Sequence, residues 1–271
     1  MGETAPAFAD WLALREPADA AARSEELVAE LVATLPGGRL VVHDLGCGTG
    51  SMARWLAPRL PGPQRWVLHD RDGALLRLAA ASRVVDGREA RVAIETRRGD
   101  ITRLEPDVLA DANLVTASAL LDTFTADEVA RFVATCAAAG CPVLVALSVT
   151  GRVELTPSDP FDTRVADAFN AHQRRTTPAG ALLGPAAVDA AVAAFAAAGA
   201  AVTTRPSAWQ LGAADAALVT AWFGGWVGAA VEQRPDLAAA AEAYAARRQA
   251  DVAAGRLAVT VHHLDLLALP R

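Results

Sequence analysis

Between Leu40 and Ser51 the chain reads Leu-Val-Val-His-Asp-Leu-Gly-Cys-Gly-Thr-Gly-Ser. An apolar run ends in an acid, Asp44, and passes into glycines at every second position, Gly46, Gly48 and Gly50, before a helix-like stretch opens at Ser51. This order predicts a strand, a tight turn and a helix. Glycine suits such a turn because some of its positions need positive φ, and because the missing side chain lets a ligand lie directly on the main chain.

The next segments repeat the strand-helix alternation. A helix over Met52–Leu60 ends at Pro61-Gly62-Pro63, and a second strand, Arg65–His69, ends at Asp70, about 20 residues past the glycines, where a carboxylate can accept from both hydroxyls of a ribose. A helix over Ala74–Ala81 follows, then a third strand, Ala90–Thr96, closing on Gly99-Asp100-Ile101. There an acid can accept from an exocyclic adenine amine. The fourth strand, Ala112–Ala117, leads to Ser118 and Asp122, and Thr125 to Glu128 matches a capping box. Cys141–Thr150 is the fifth strand, with Gly151–Leu155 read as a short extra one. Cys136 and Cys141 read as small apolar core residues with free thiols. Strict alternation implies a parallel sheet with helices on both faces and ligands above the C-terminal strand ends, where Gly46, Asp70, Asp100 and Asp122 all fall.

Asp44-Leu-Gly-Cys-Gly-Thr-Gly50 resembles the first motif of the class I S-adenosylmethionine-dependent methyltransferases. Asp70 resembles their ribose-binding acid, Gly99-Asp100-Ile101 their adenine-contacting turn, and Ala119-Leu-Leu-Asp-Thr the stretch bordering cofactor and acceptor. The resemblance covers roughly Leu40 to Thr150. It implies an α/β, Rossmann-like sheet of seven strands, mostly parallel with an antiparallel last strand, and S-adenosylmethionine as cofactor. It also implies a cofactor site made of Asp44, Gly46, Cys47, Gly48, Gly50, Asp70, Arg71, Asp100, Ile101 and Ser118, with Asp44 near the methionine end. A nicotinamide-binding fold is opposed by the Gly-x-Gly-x-Gly spacing, by the acid two residues before it and by Asp100.

On this reading residues 1–38 are a helical prefix or lid and residues 39–271 the methyltransferase domain, with helical insertions at about 157–184 and 213–254. In the prefix, Pro17 is expected to interrupt an early turn and Ser24 to cap a helix. Arg15, Asp19 and Arg23 stand four apart, as on a solvated helix face or, alternatively, on a lid whose arginines reach an anionic ligand group. After the fifth strand a helix over Pro160–Arg174 places Phe161, Val165, Phe169 and His172 on one face. A helix from Pro185, a sixth strand over Ala200–Pro206, helices over about 215–231 and 235–254, and a seventh strand over Leu257–Leu269 complete the chain. Trp209, Trp222 and Trp226 read as packing residues rather than an aromatic cage, and adjacent His262 and His263 face opposite sides of a strand without a second ligand at metal spacing.

Methyl transfer needs a positioned acceptor and, for a hydroxyl, a proton acceptor; His172 and Asp122 are the candidates. With Lys and Arg in no long basic run and a net charge of −6 among 271 residues, nucleic acid is not an expected partner. No stretch approaches the roughly 18 uninterrupted apolar residues of a membrane span, and neither a leader nor a disulfide framework is indicated. A small-molecule acceptor in the cytoplasm is therefore expected, a secondary metabolite being one such acceptor. A protein or peptide acceptor is the alternative, and binding without catalysis the third class. The sequence leaves the acceptor atom and the oligomeric state open.

Overall fold

The structure, a computed structural model, describes residues 5–271; residues 1–4, where the prefix and the reading of no leader begin, lie outside the described residues. Helices α1 (Ala5–Ala22) and α2 (Glu25–Val32) precede the sheet. Pro17 lies inside α1 and does not interrupt it. The loss of one helical hydrogen bond is tolerated where tertiary contacts pin the helix on both sides of the proline: Glu16 to Arg54 and Asp19 to Trp209. Ser24 caps α2 by accepting from the Leu27 amide at 3.2 Å, and Leu27, Val28 and Leu31 form its buried face.

Strands β1 (Leu40–Leu45), β2 (Gln64–Asp70), β3 (Ala93–Arg98), β4 (Leu114–Ser118) and β5 (Val143–Thr156) alternate with α3 (Ser51–Leu56), α4 (Gly73–Ala81) and α5 (Ala126–Ala138). They lie side by side in the order β3-β2-β1-β4-β5, all parallel. Beyond them come α6 (Asp162–Gln173), the small hairpin β6 (Thr176–Thr177) and β7 (Gly180–Ala181), α7 (Ala187–Ala197), β8 (Ala201–Pro206), β9 (Trp209–Leu211), α8 (Ala216–Gln233), α9 (Ala238–Ala253) and β10 (Ala258–Leu269). As expected, β10 is antiparallel, between β5 and β8.

The sheet has eight strands, not seven. The addition is β9, which pairs with Val259–Val261 where β8 has already left the edge of β10. The chain breaks at Ser207 and Ala208 and resumes, and three residues are too few for an alternation pattern to register. The segment Gly151–Leu155 is no separate strand but part of the far half of β5, which resumes its pairing with β10 at Val153 after a register shift. The third strand starts at Ala93 rather than Ala90, because Asp86 gathers the amides of Arg88 and Ala90 into a turn (2.8 and 3.0 Å).

The core has three parts. One face of the sheet packs Leu40, Val42 and Trp66 against Leu27, Leu31 and Trp55, and the other packs Val115 and Val145 against Phe132, Val133 and Phe195. The third part belongs to the late helices: Phe161 and Val165 of α6, Phe223 and Trp226 of α8 and Tyr244 of α9 surround the outer halves of β5 and β10. Arg248, 1% exposed, ties this layer together, donating to both Asp162 oxygens at 2.6 Å and to the Pro157 carbonyl at 2.6 Å. The helical stretch Ala213–Gln233 is long and apolar enough by composition to cross a membrane, against the expectation from uninterrupted runs. Its large residues, Leu218, Phe223, Trp226 and Val227, are buried in this third core, so its hydropathy has a packing explanation.

Candidate active site

The turn after β1 is locked from below. The amides of Gly46 and Cys47 both donate to the His69 carbonyl (2.8 and 2.9 Å), and the Gly48 amide donates to Asp70 Oδ2 at 2.9 Å. Gly46 has φ +72°, and a Cβ there would come within 2.7 Å of Leu120 Cδ2, so any side chain would collide with the β4 turn. Gly48, φ +55°, faces Leu12 of α1, whose Cδ1 would lie 3.1 Å from an added Cβ.

Above these strand ends is a cavity of about 760 Å³, within the range that encloses a small ligand. Its floor brings together Asp44, Gly46, Cys47, Gly48, Asp70, Arg71, Asp100, Ile101 and Ser118. Gly50 does not line it; with φ +85° it is the left-handed residue that starts α3. Phe8, Trp11, Leu12 and Arg15 of α1 roof it. Asp70 spends one hydrogen bond per oxygen on the amides of Gly48 and Asp72 (both 2.9 Å), which fixes the carboxylate and leaves each oxygen a further lone pair. Asp100 holds its own turn by accepting from Thr102 N and Oγ1 (3.0 and 2.7 Å).

Asp44 is 1% exposed. Its Oδ1 accepts from Thr116 Oγ1 at 2.7 Å, whereas Oδ2 has no partner. Burial pushes its pKa up to about 7, against the opposing hydrogen bond from Thr116 and the charge of Arg23. Arg23 lies beneath this floor, 3% exposed, donating to Ser51 Oγ and Ser118 Oγ (3.1 and 3.3 Å), with its guanidinium over the Trp55 ring. The Arg15, Asp19, Arg23 ladder is therefore not a solvated face. Asp19 is 5% exposed, bonded to Arg15 at 3.0 Å and to Trp209 Nε1 at 3.0 Å, because β9 covers that side of α1.

A second cavity of about 180 Å³ adjoins the first and shares Trp11, Arg15, Ala119 and Asp122 with it. Trp209, Trp222, Trp226 and Phe169 wall it, so these tryptophans pack the third core and also face a space. Asp122 accepts from Gln173 Nε2 at 3.3 Å, and burial raises its pKa. His172 lines neither cavity. Its Nε2 is 3.5 Å from Glu232 on α8, and Nδ1 is 3.4 Å from Arg175. The neighbouring Gln173, a helical step of about 100° further round α6, takes the cavity side, and nothing in its residue type marked it. Against the expectation of opposite sides, His262 and His263 both line the second cavity, at a register shift in β10 between Val261 and His263; His263 is buried, and His262 reaches Glu154 at 3.1 Å. Among the described residues no cluster fit for a metal ion occurs.

Residues 42–142, which carry the glycine turn and the acids after β2 and β3, match the family model described as a methyltransferase domain. Residues 42–142 are thus similar to a methyltransferase domain. No curated protein matches it by sequence. Similar solved structures include an O-methyltransferase family protein from Burkholderia thailandensis (20% identity, 74% of this chain and 55% of that one, TM-score 0.47). Others are a cyclopropane synthase from Mycobacterium tuberculosis (14%, 90% and 82%, 0.47) and a geranyl diphosphate C-methyltransferase from Streptomyces coelicolor (11%, 91% and 76%, 0.47). The chain thus spans about half the length of the first of these.

S-adenosylmethionine is the cofactor that the resemblance of the glycine turn and its acids implies, and the residues present fit it. The unpaired, buried Asp44 Oδ2 is an acceptor that a ligand ammonium satisfies, and Asp70 at the tip of β2 retains lone pairs for a ribose.

Proposed function

We propose that this methyltransferase acts on a small-molecule acceptor held in the second cavity, with Asp122 as proton acceptor. The observation that carries the reading is the space of about 180 Å³ that meets the larger cavity at Ala119 and Asp122. Asp44 and Asp70 hold the methionine and ribose ends of the cofactor, Asp100 and Ile101 its adenine end. Bound S-adenosylmethionine supplies an electrophilic methyl carbon, whose bond to sulfur breaks as the acceptor atom bonds to it. Asp122 takes the acceptor's proton; burial makes its carboxylate a stronger base than an exposed one. Trp11 and Arg15 roof both spaces and keep water from the reacting atoms. Three free, buried cysteines fit a reducing cytoplasm.

The test is incubation with methyl-labelled cofactor and a cell extract, separated afterwards into small-molecule and protein fractions. Label should appear in a small-molecule product whose exact mass reports the acceptor; label confined to protein would overturn the reading. On that product Asp122→Asn should lose about a hundredfold or more in turnover, whereas His172→Ala should stay within a few fold. The reverse ranking would return the base to His172.

A further inference from the structure

One wall of the first cavity owes nothing to the glycine turn or to the acids after β2 and β3. Phe124, Arg175, Thr177, Ala179 and Leu182 line it, because the segment after α6 folds back on the connection between β4 and α5. The Leu183 amide donates to the Phe124 carbonyl at 2.8 Å, Leu182 bridges to Thr125, and the β6–β7 hairpin belongs to the same segment. An acceptor seated in the second cavity reaches this wall past Asp122, which both cavities share.

Most charges around the first cavity have an occupation. Asp70 and Asp100 hold their own turns, Asp72 caps α4, Glu128 closes the capping box of α5, and Asp19 pairs with Arg15. Among the described residues, two arginines of the lining have no acidic partner, Arg71 and Arg175. Arg71 directly follows Asp70 at the tip of β2, on the cofactor side. Arg175 belongs to the hairpin wall, where no cofactor group is assigned.

The Arg175 side chain is held in one place and left open in another. Its Nη1 donates to the His172 carbonyl at 3.1 Å and lies 3.4 Å from His172 Nδ1, which pins one corner of the guanidinium. Nε and Nη2 form the edge that meets an oxyanion in a two-point pair, and they have no hydrogen-bond partner among the described residues. The charge also reaches the reaction centre: burial raises the Asp122 pKa, and the charges of Arg15 and Arg175 oppose that rise. The Arg15 charge is shared with Asp19, whereas that of Arg175 is not. Because Arg175 is exposed, an anion pairing with it at the cavity mouth keeps part of its hydration and avoids the desolvation cost of a buried pair.

We infer that the acceptor is a small molecule carrying an anionic group, a carboxylate or a phosphate, which pairs with the free edge of Arg175 while the atom to be methylated lies at Asp122. This rests on the reading that a small molecule is methylated beside Asp122.

The labelled small-molecule product from the extract incubation is passed over an anion-exchange resin at neutral pH and at about pH 2, below the carboxyl range. It should be retained at neutral pH. Release at the lower pH identifies a carboxylate and continued retention a phosphate, and either supports the inference; a product that flows through at neutral pH overturns it. The acceptor, purified by reference to the product's mass, is then assayed with variants of the full chain. Arg175→Gln should raise KM about tenfold, the worth of a charge-assisted pair, with kcat within about threefold and with S-adenosylhomocysteine affinity and melting temperature unchanged. Arg175→Lys, which keeps the charge and loses the fork, should recover part of the loss and replaces the first variant should that one fail to fold. Arg174→Gln, at an exposed neighbour lining neither cavity, should leave KM unchanged. A KM for Arg175→Gln within about twofold of wild type overturns the inference even for an acidic product. A KM rise accompanied by weaker S-adenosylhomocysteine binding and a lower melting temperature also overturns it, since Arg175 would then be holding the hairpin. Label found only in protein removes the small-molecule reading itself, an outcome distinct from a small-molecule product without negative charge.

Discussion

Acid should destabilise this protein through a buried histidine pair. His43 on β1 and His69 on β2 are 0% and 3% exposed, with His43 Nδ1 3.0 Å from His69 Nε2 and His43 Nε2 3.0 Å from Asp111. Burial first, and then the adjacent His43, holds His69 down from 6.5 to about 4. An unfolded chain takes up a proton there near pH 6.5, whereas the fold excludes it until about pH 4. Across that window the unfolded state binds more protons, so stability falls as pH falls. The loss begins near pH 6.5 and is complete below the folded value. At about 1.4 kcal/mol per pH unit over about 2.5 units, His69 alone removes about 3 kcal/mol. Asp44, raised to about 7, works in the opposite sense, because the fold keeps a proton that the unfolded chain releases. The comparison with His69→Gln isolates the histidine. Urea unfolding at pH 6.5, 5.5 and 4.5, extrapolated to water, should show the wild type losing about 1.4 kcal/mol per pH unit more than the variant. Parallel stability curves for the two proteins would refute the reasoning.

Asp70→Ala should weaken S-adenosylhomocysteine binding by about 2 kcal/mol, the worth of hydrogen bonds to a charged group; an unchanged calorimetric dissociation constant would remove Asp70 from the site. Because a cofactor ammonium pairs only with ionised Asp44, affinity should fall toward tenfold per pH unit below about 7. Asp44→Asn should flatten that profile, and a slope retained in the variant would assign it to another group. Arg248→Ala should destabilise the fold by about 3 kcal/mol in urea, since it strips Asp162 of a buried partner; a loss under 1 kcal/mol would mean that Tyr244, which donates to Asp162 at 2.6 Å, suffices.

The cavity at the strand ends was legible because its parts are local. A glycine turn, an acid at the tip of β2 and an acid after β3 each declare themselves within a few residues, and strand-helix alternation carries them to one edge of the sheet. The second cavity draws on α1, the β4 turn, β5, α6, β9, α8 and β10, and no spacing along the chain connects these. The stripe Phe161, Val165, Phe169, His172 pointed to the right helix, but the cavity takes Phe169, Asn170 and Gln173. Apolar periodicity locates a face only to within about one residue, and a glutamine carries no apolar signal. Arg15 and Asp19 read as a surface ladder because Trp209 of β9, a strand three residues long and about 190 positions away, covers them.

The seam between the cavities was hidden for a further reason. Ala119 and Leu147 have φ of +55° and +56°, a left-handed conformation that neither residue type announces. Both are held by hydrogen bonds that leave the backbone no alternative: the Ala119 amide donates to the Ala146 carbonyl at 2.9 Å, and the Leu147 amide to Asp265 Oδ1 at 2.7 Å. Asp265 also accepts the Ser24 amide at 2.8 Å, so one buried carboxylate fixes both the bend in β5 and the start of α2. Each strained residue costs on the order of 1 kcal/mol or more, and the fold places both along the second cavity, with Ala119 on its border with the first. Strain of this kind persists where the surrounding structure over-determines it. Here the determinants, Ala146 of β5 and Asp265 of β10, lie outside the residues that match the methyltransferase family model, so the seam between the two cavities is set by segments beyond that match.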